Sequence, residues 1–501
     1  YSMNNSGGTA DKIVFTKNIE ENIKIISDYF KNNETLIIRN IENRSKPDIK
    51  FCIIYTDGMV NNTLVNQDII RPLLEFKFTR CPKNLIETAA SQITLSNCVE
   101  TTNDIDTILQ AILYGDCVLL ASNCSNVLVL NSKGWITRSI VEPESERVLK
   151  GPREGFNEAI MLNLTMLRRR LMTPDFKIKF MTFGTRSKTK ACICYLDSIV
   201  NKSVLQELEK RLQKISIDGI IDSNYIAELI KDSPYSPVKT VGNTERPDVV
   251  AAKLLEGRIA FLLDGSPVAL TVPHLFIELF QSDEDYYINF LYSSFGRLLR
   301  IISFLLTTSI PAVYLSLITF HHEMLPTPLI MSISTSRQGV PFPTVIELLM
   351  MLIIFDLLRE AGARMPGMMG QALSIVGALV IGQAAVEAKI VSAPIIIMVA
   401  LIGITGLMVP RSKGFSIYLR FFLVLLSTMI GIYGFLFGYM IALIHLFGIS
   451  SFGIPIMTGS YSDNMQDAKD IYIRAPWWKM IKRPKLLSPN ETRQAASGGK
   501  K

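Results

Sequence analysis

The chain has 501 residues, 48% hydrophobic and 19% charged, with a formal net charge of +7. A mean hydropathy of +0.27 is high for a soluble protein of this length and argues against a wholly soluble chain. The basic excess lies beside apolar blocks, which suits the cytoplasmic face of a membrane and excludes nucleic acid as the expected partner.

Up to about residue 290 charged and apolar residues mix as they do in globular domains, and the segment carries an internal duplication. "FCIIYTDGMVNNTLV" at 51 and "ACICYLDSIVNKSVL" at 191 match in register at Cys52/Cys192, Tyr55/Tyr195, Asp57/Asp197 and Asn61/Asn201. Upstream, "RSK" at 44 recurs at 186. Downstream, "ILYGDCVLLASN" at 112 echoes "LLEGRIAFLLDG" at 254. Each copy reads as a β-branched strand, a turn at Asp and a helix starting near Asn61 or Asn201. A later helix then ends near Gly115 or Gly257, and a hairpin follows. In the second copy Asp264-Gly265 supplies the turn. "REGFNEAIMLNLTMLRRRL" is expected to be a helix bridging the copies.

All seven cysteines fall between Cys52 and Cys194. An odd number, none of it in the apolar half, suggests reduced thiols in cytoplasm. Cys192-Ile-Cys194 lacks a second ligand pair, so no metal is expected. No basic-then-apolar leader opens the chain, so the front half should stay on the side where it is made. Asp57 and Asp197 read as turn or cap residues. No nucleotide loop, nucleophile elbow or zinc-hydrolase helix is found, so no enzyme, catalytic residue or cofactor is expected.

The second half is a series of apolar blocks: 298–320, 343–358, 370–388, 393–410 and a long stretch from Phe415 to Leu446. A crossing needs about 20 apolar residues. Arg297 and Arg300 open the first block, and the basic aromatic "RAPWWKMIKRPK" follows the last, both fitting the cytoplasmic face. With both flanks inside, the crossings must be even in number, yet five blocks are clear. Gly431, Gly434 and Gly438 in the last stretch permit close packing or a break. Glu347 and Asp356 are intramembrane acids two and a half turns apart, facing opposite sides; Asp356 is expected to pair with Arg359 or Arg364. His321-His322-Glu323 reads as an outer loop.

The Gly/Ala-rich block "GQALSIVGALVIGQAAVEA" suits close helix packing. It also carries Gln371, Ser374, Gln383 and Glu387, polar groups that are costly against hydrocarbon. Two readings stand. In one, this is an interior packing helix whose terminal charges reach the headgroups. In the other, several copies surround a water-filled path lined by these four residues, which needs a symmetric oligomer.

At this point "RPDVVAAKLLEGRIAFLLDGSPVALTVP", "SRQGVPFPTVIELLMMLIIFDLLREAGARMP", "GQALSIVGALVIGQAAVEAKIVSAP" and "IRAPWWKMIKRP" closely resemble the A subunits of the GerA-type spore germinant receptors, from about residue 110 onward. The resemblance implies a multi-pass protein of the spore inner membrane, working with a transporter-like B subunit and a lipoprotein C subunit. It further implies a homo-oligomeric ring, a pentamer in this family, that conducts monovalent cations in response to nutrient. Two departures stand out: Lys389 where a small residue is expected, and the methionine-rich "MPGMMGQ". The expected architecture is an α/β front half of two related modules (1–150 and 151–290), an α-helical polytopic membrane domain (291–458) and a basic cytoplasmic tail (459–501). The rival functions are a transporter-like subunit with a pathway in each protomer and a non-conducting scaffold.

Overall fold

The computed structural model describes residues 15–78, 82, 84–95, 99–134, 146, 148, 150–364, 377, 380–458, 470–480, 482–483 and 487–488. They form two compact units. Residues of the first fall within Tyr1–Lys231, Val241–Pro273 and Arg483–Thr492; those of the second fall within Asp232–Thr240, His274–Lys482 and Arg493–Lys501.

The first unit contains α1 (Ile19–Tyr29), β1 (Leu36–Glu42), β2 (Lys50–Thr56), α2 (Asn62–Leu64), α3 (Arg71–Glu75), α4 (Leu85–Thr88), β3 (Val99–Thr102), α5 (Ile105–Tyr114), β4 (Cys117–Ala121) and β5 (Val127–Leu130). The series then repeats as α6 (Ile160–Arg170), β6 (Phe176–Phe183), β7 (Thr189–Leu196), α7 (Lys202–Gln213), α8 (Ser223–Leu229), β8 (Gly242–Thr244), α9 (Pro247–Leu255), β9 (Ile259–Leu263) and β10 (Ala269–Val272). Each set makes a five-stranded antiparallel sheet. The orders are β1-β2-β4-β5-β3 and β6-β7-β9-β10-β8, the same path taken twice. The register repeats as well. Cys52 faces Leu120 where Cys192 faces Leu262, and Thr102 faces Val127 where Thr244 faces Ala269.

The signals read from the sequence build both copies. Asn61 accepts the amides of Thr63 and Leu64, and Asn201 accepts that of Ser203, each capping the helix that follows. Gly115 (φ +92) and Gly257 (φ +91) turn the chain out of α5 and α9; a Cβ there would lie 2.7 Å from the Met59 carbonyl oxygen and 2.9 Å from that of Ile199. Helices cover the first sheet on both faces. Cys52 and Ile54 pack towards α1 and α5, while Phe51 and Ile53 pack towards residues 65–93.

The expected bridging helix is α6, and it is part of the repeat. It corresponds to α1, and both are introduced by the same device. Buried Asn22 accepts from the Thr16 amide at 2.9 Å and donates to the Thr16 carbonyl at 2.7 Å; buried Asn163 does the same to Asn157 at 2.9 and 2.6 Å. Asp264 reaches from the second hairpin to accept the amide of Ile160 at 3.1 Å.

The copies join at the edge of the second sheet, where Asn33 bridges Ile178 in parallel and Glu34 accepts the Phe180 amide at 3.0 Å. This covers an otherwise open strand edge. From α6, Arg168 reaches Thr35 Oγ1 at 2.9 Å and Asn33 Oδ1 at 3.2 Å, and it lies over the Phe176 ring. Burial without a carboxylate pushes its guanidinium down to about 10.

In the second unit the helices are α10 (Phe290–Thr319), α11 (Thr327–Ser336), α12 (Thr344–Ala363), α13 (Ala393–Leu407), α14 (Lys413–Ile430) and α15 (Ile432–Gly448). Among the described residues, the α10 segment and Pro410–Ile430 are long and apolar enough to cross a membrane; Ala393–Leu407 and Ile432–Gly448 are apolar but shorter. Four charges keep α12 from joining them. Gly431 (φ +67) is the whole turn between α14 and α15. Gly434 then sits against the Leu426 carbonyl, and Gly438 against Leu423 and Leu426, so a Cβ on either would clash. Of the two readings of these glycines, the chain uses both: one breaks the helix, and two let its halves pack closely.

Candidate functional site

The helix ends of the second unit sort into two groups. At one end α10 begins, α12 finishes, and α14 starts. Arg297 is fully buried there between Asp285 (3.3 Å) and Asp470 (3.0 Å), Arg300 meets Asp285 at 2.6 Å, and Arg411 meets Asp283 at 2.9 Å. Tyr286 donates to Asp470 at 2.7 Å, and Arg474 lies over the Tyr286 and Trp477 rings. Arg297 and Arg300 therefore spend their charge inside the protein rather than on headgroups. Three acids spread along the chain supply what the sequence pattern could not show.

Asp356 pairs chiefly with Arg420 on α14, and only at 3.9 Å with Arg359; Arg364 pairs with Glu360 instead. The expected partner was the local one, but helix geometry brings a more deeply buried arginine across from 64 positions away.

At the opposite end Glu347 is fully buried. One oxygen accepts from the Ser392 amide (3.0 Å) and hydroxyl (2.9 Å), and the other from Arg337 at 3.3 Å. Glu347 thus closes the start of α13, where amide groups lack helical partners. His321 lies at this end with its ring against Tyr433.

Of the four polar residues in the Gly/Ala-rich block, Gln371 and Ser374 lie outside the described residues. Residues 380–387 are helical, and the helix has two unlike faces. Gly382 turns to α13, where a Cβ would lie 3.3 Å from Ile396. Val380, Gln383, Ala384 and Glu387, spaced as one helical stripe, are all exposed. Gln383 donates to Glu387 at 3.1 Å along that stripe. Lys389 (φ +53) points elsewhere: its stem lies along Gly339, 3.0 Å from a Cβ built there.

The chain matches the family GerA, the Bacillus/Clostridium GerA spore germination protein, over residues 24–486. It belongs to that family. The GerA match reaches back into the first module, well ahead of residue 110. Spore germination protein KA of Bacillus subtilis is 37% identical over 95% of this chain and 87% of its own length. GerLA of Bacillus cereus is 34% identical over 95% and 96%. The uncharacterized membrane protein YfkQ of Bacillus subtilis is 40% identical over 89% and 86%. Among solved structures, the N-terminal domain of the A subunit of the Bacillus megaterium spore germinant receptor GerK3 is 28% identical. It covers 53% of this chain and 98% of its own length, with a TM-score of 0.40.

Proposed function

We propose that this GerA protein is the A subunit of a nutrient germinant receptor in the spore inner membrane, and that several copies surround a path for monovalent cations. Its partners in this reading are the transporter-like B subunit and the lipoprotein C subunit. The observation that carries it is the exposed Gln383–Glu387 stripe, an amide and a carboxylate that the other described residues leave uncovered. Facing lipid they would be expensive; facing the same stripe on neighbouring copies, they would line water.

Helix directions support a multi-pass arrangement. Asp356–Arg420 and Glu347–Ser392 make α12 and α13 run the same way. In this reading α14 and α15, split at Gly431, are separate crossings and the total is even, which returns the tail to the side of the front half. That side is the cytoplasm in this reading. Nothing in it requires catalysis.

The test is electrical. The receptor is reconstituted in bilayers, and currents are recorded for the native chain, Gln383→Leu and Glu387→Gln. A shared path lined by this stripe predicts a several-fold fall in cation conductance for Gln383→Leu and weakened cation preference for Glu387→Gln. Unchanged conductance and selectivity in both variants would remove the stripe from the path.

A further inference from the structure

Near the charged end of the second unit, α12 and α14 stand apart with a groove between them, floored by α10 and α13 and spanned by the Asp356–Arg420 pair. The groove measures about 270 Å³, open solvent included. Its walls carry three cations, Arg359, Lys413 and Arg420, together with the hydroxyls of Thr307, Thr405, Ser412 and Ser416; Asp356 meets Arg420 and Arg359, and Glu360 meets Lys413.

Among the described residues the charges of the groove do not balance: Arg359, Lys413 and Arg420 face Asp356 and Glu360, two acids for three bases, and Glu360 is shared with exposed Arg364. Arg420 is 1% exposed, and its Nε is buried without a hydrogen-bond partner among the described residues, as are Nε of Arg359 and one oxygen of Asp356, Oδ1. Buried guanidinium donors left unmatched are costly. The backbone makes room for them: Gly406 has no Cβ where the Arg359 guanidinium passes, and one placed there would lie 3.2 Å from Nη1.

Leading away from the charged end, the outward faces of the same two helices are apolar: α12 exposes Leu357 and Ile353, and α14 exposes Tyr418, Phe422 and Leu425. A ligand that used both the groove and these faces would pair a compact anion with long apolar chains.

We propose that this groove seats the phosphate of an anionic phospholipid at its mouth, held by Arg359 and Lys413, with Arg420 behind them. The proposal rests on the membrane reading above, though not on conduction. The lipid completes the charge balance and wedges α12 against α14. Basic pockets between membrane helices are an established way of holding such headgroups.

The experiment uses the full-length chain purified in detergent. Phosphatidylglycerol, phosphatidylcholine or inorganic phosphate is added, and bound lipid is counted by native mass spectrometry alongside thermal stability. Expected are at least fivefold greater retention of phosphatidylglycerol than of phosphatidylcholine, and a comparable fall in the Arg359→Gln/Lys413→Gln double variant. Arg364→Gln, at an exposed position of the same end, should retain lipid as the native chain does. Arg420→Gln strips Asp356 of its main partner and is avoided as a test of folding rather than binding. Should the double variant misfold, the lipid ratio of the native chain still decides. Equal retention of both lipids overturns the proposal, and stabilisation by inorganic phosphate alone overturns the lipid as its source. A chain that stays soluble without detergent would sink the membrane reading itself, an outcome distinct from either.

Discussion

The two front modules share one backbone plan and differ in what they attach to it. Strand order, register, asparagine clamps and glycine exits coincide. In the first copy, however, the helix after Asn61 passes through a π-helical stretch, Val65–Ile70, before Pro72. In the second it continues unbroken as α7. Where Asp104 caps α5, the equivalent Arg246 is buried against Asp248 at 2.8 Å and donates to the Pro152 carbonyl at 2.9 Å. Where α1 has Ser27, α6 has Arg168. The second copy also receives the returning chain: Arg483 donates to the Leu255 carbonyl at 2.6 Å, and Ser488 to that of Ile199 at 2.9 Å. A duplicated fold thus keeps its local backbone chemistry and diverges where side chains reach outwards.

Paired substitutions can break that comparison. Gly115→Ala and Gly257→Ala should each cost about 3 kcal/mol, because a positive φ and a backbone clash coincide at both. Pulsed thiol labelling in urea reads each module separately, through Cys52 and Cys117 in one and Cys192 and Cys194 in the other; a large inequality would deny that the two exits are equivalent. Arg168→Ala should cost about 2 kcal/mol in lost packing and hydrogen bonds, whereas Ser27→Ala should be nearly silent by the same labelling. Asn22→Ala and Asn163→Ala should each cost about 1.5 kcal/mol for the two backbone groups left unmatched. Asn61→Ala and Asn201→Ala should cost about 1 kcal/mol apiece.

The smallest effect is chemical. Burial pushes the Cys52 thiol from the ordinary 9.0 up to about 12, so at pH 8 roughly one molecule in ten thousand carries its thiolate. Half-buried Cys124 should therefore alkylate well before Cys52, as peptide mass spectrometry will show. The raised value also sets a sign. Above pH 9 the unfolded chain releases this proton while the folded chain keeps it until about 12, so the first module loses stability as pH climbs through that window.

The duplication was legible because its strands keep the same residues at the same spacing, as Cys52/Cys192 and Tyr55/Tyr195 do. Its true beginning was not. α1 and α6 share little beyond an asparagine, and the value of that asparagine lies in a backbone contact six residues upstream. In the helical unit the split at Gly431 could be suspected from three glycines. The partners of Arg297, Asp356 and Glu347 could not be foreseen, because ion pairs between helices carry no periodicity to read. Gln383 and Glu387 could be picked out as polar groups in an apolar block, but their exposure depended on which face Gly382 gave to α13.

In the membrane arrangement proposed above, Gly431 has a consequence for biogenesis. With a single residue as the turn, no hydrophilic loop exists between α14 and α15 for an insertion machine to translocate separately. Two helices of roughly 25 Å, already pressed together through Gly434 and Gly438, would have to enter the bilayer as one preassembled wedge. Lengthening that turn should alter how the nascent chain is threaded before it alters anything the finished protein does.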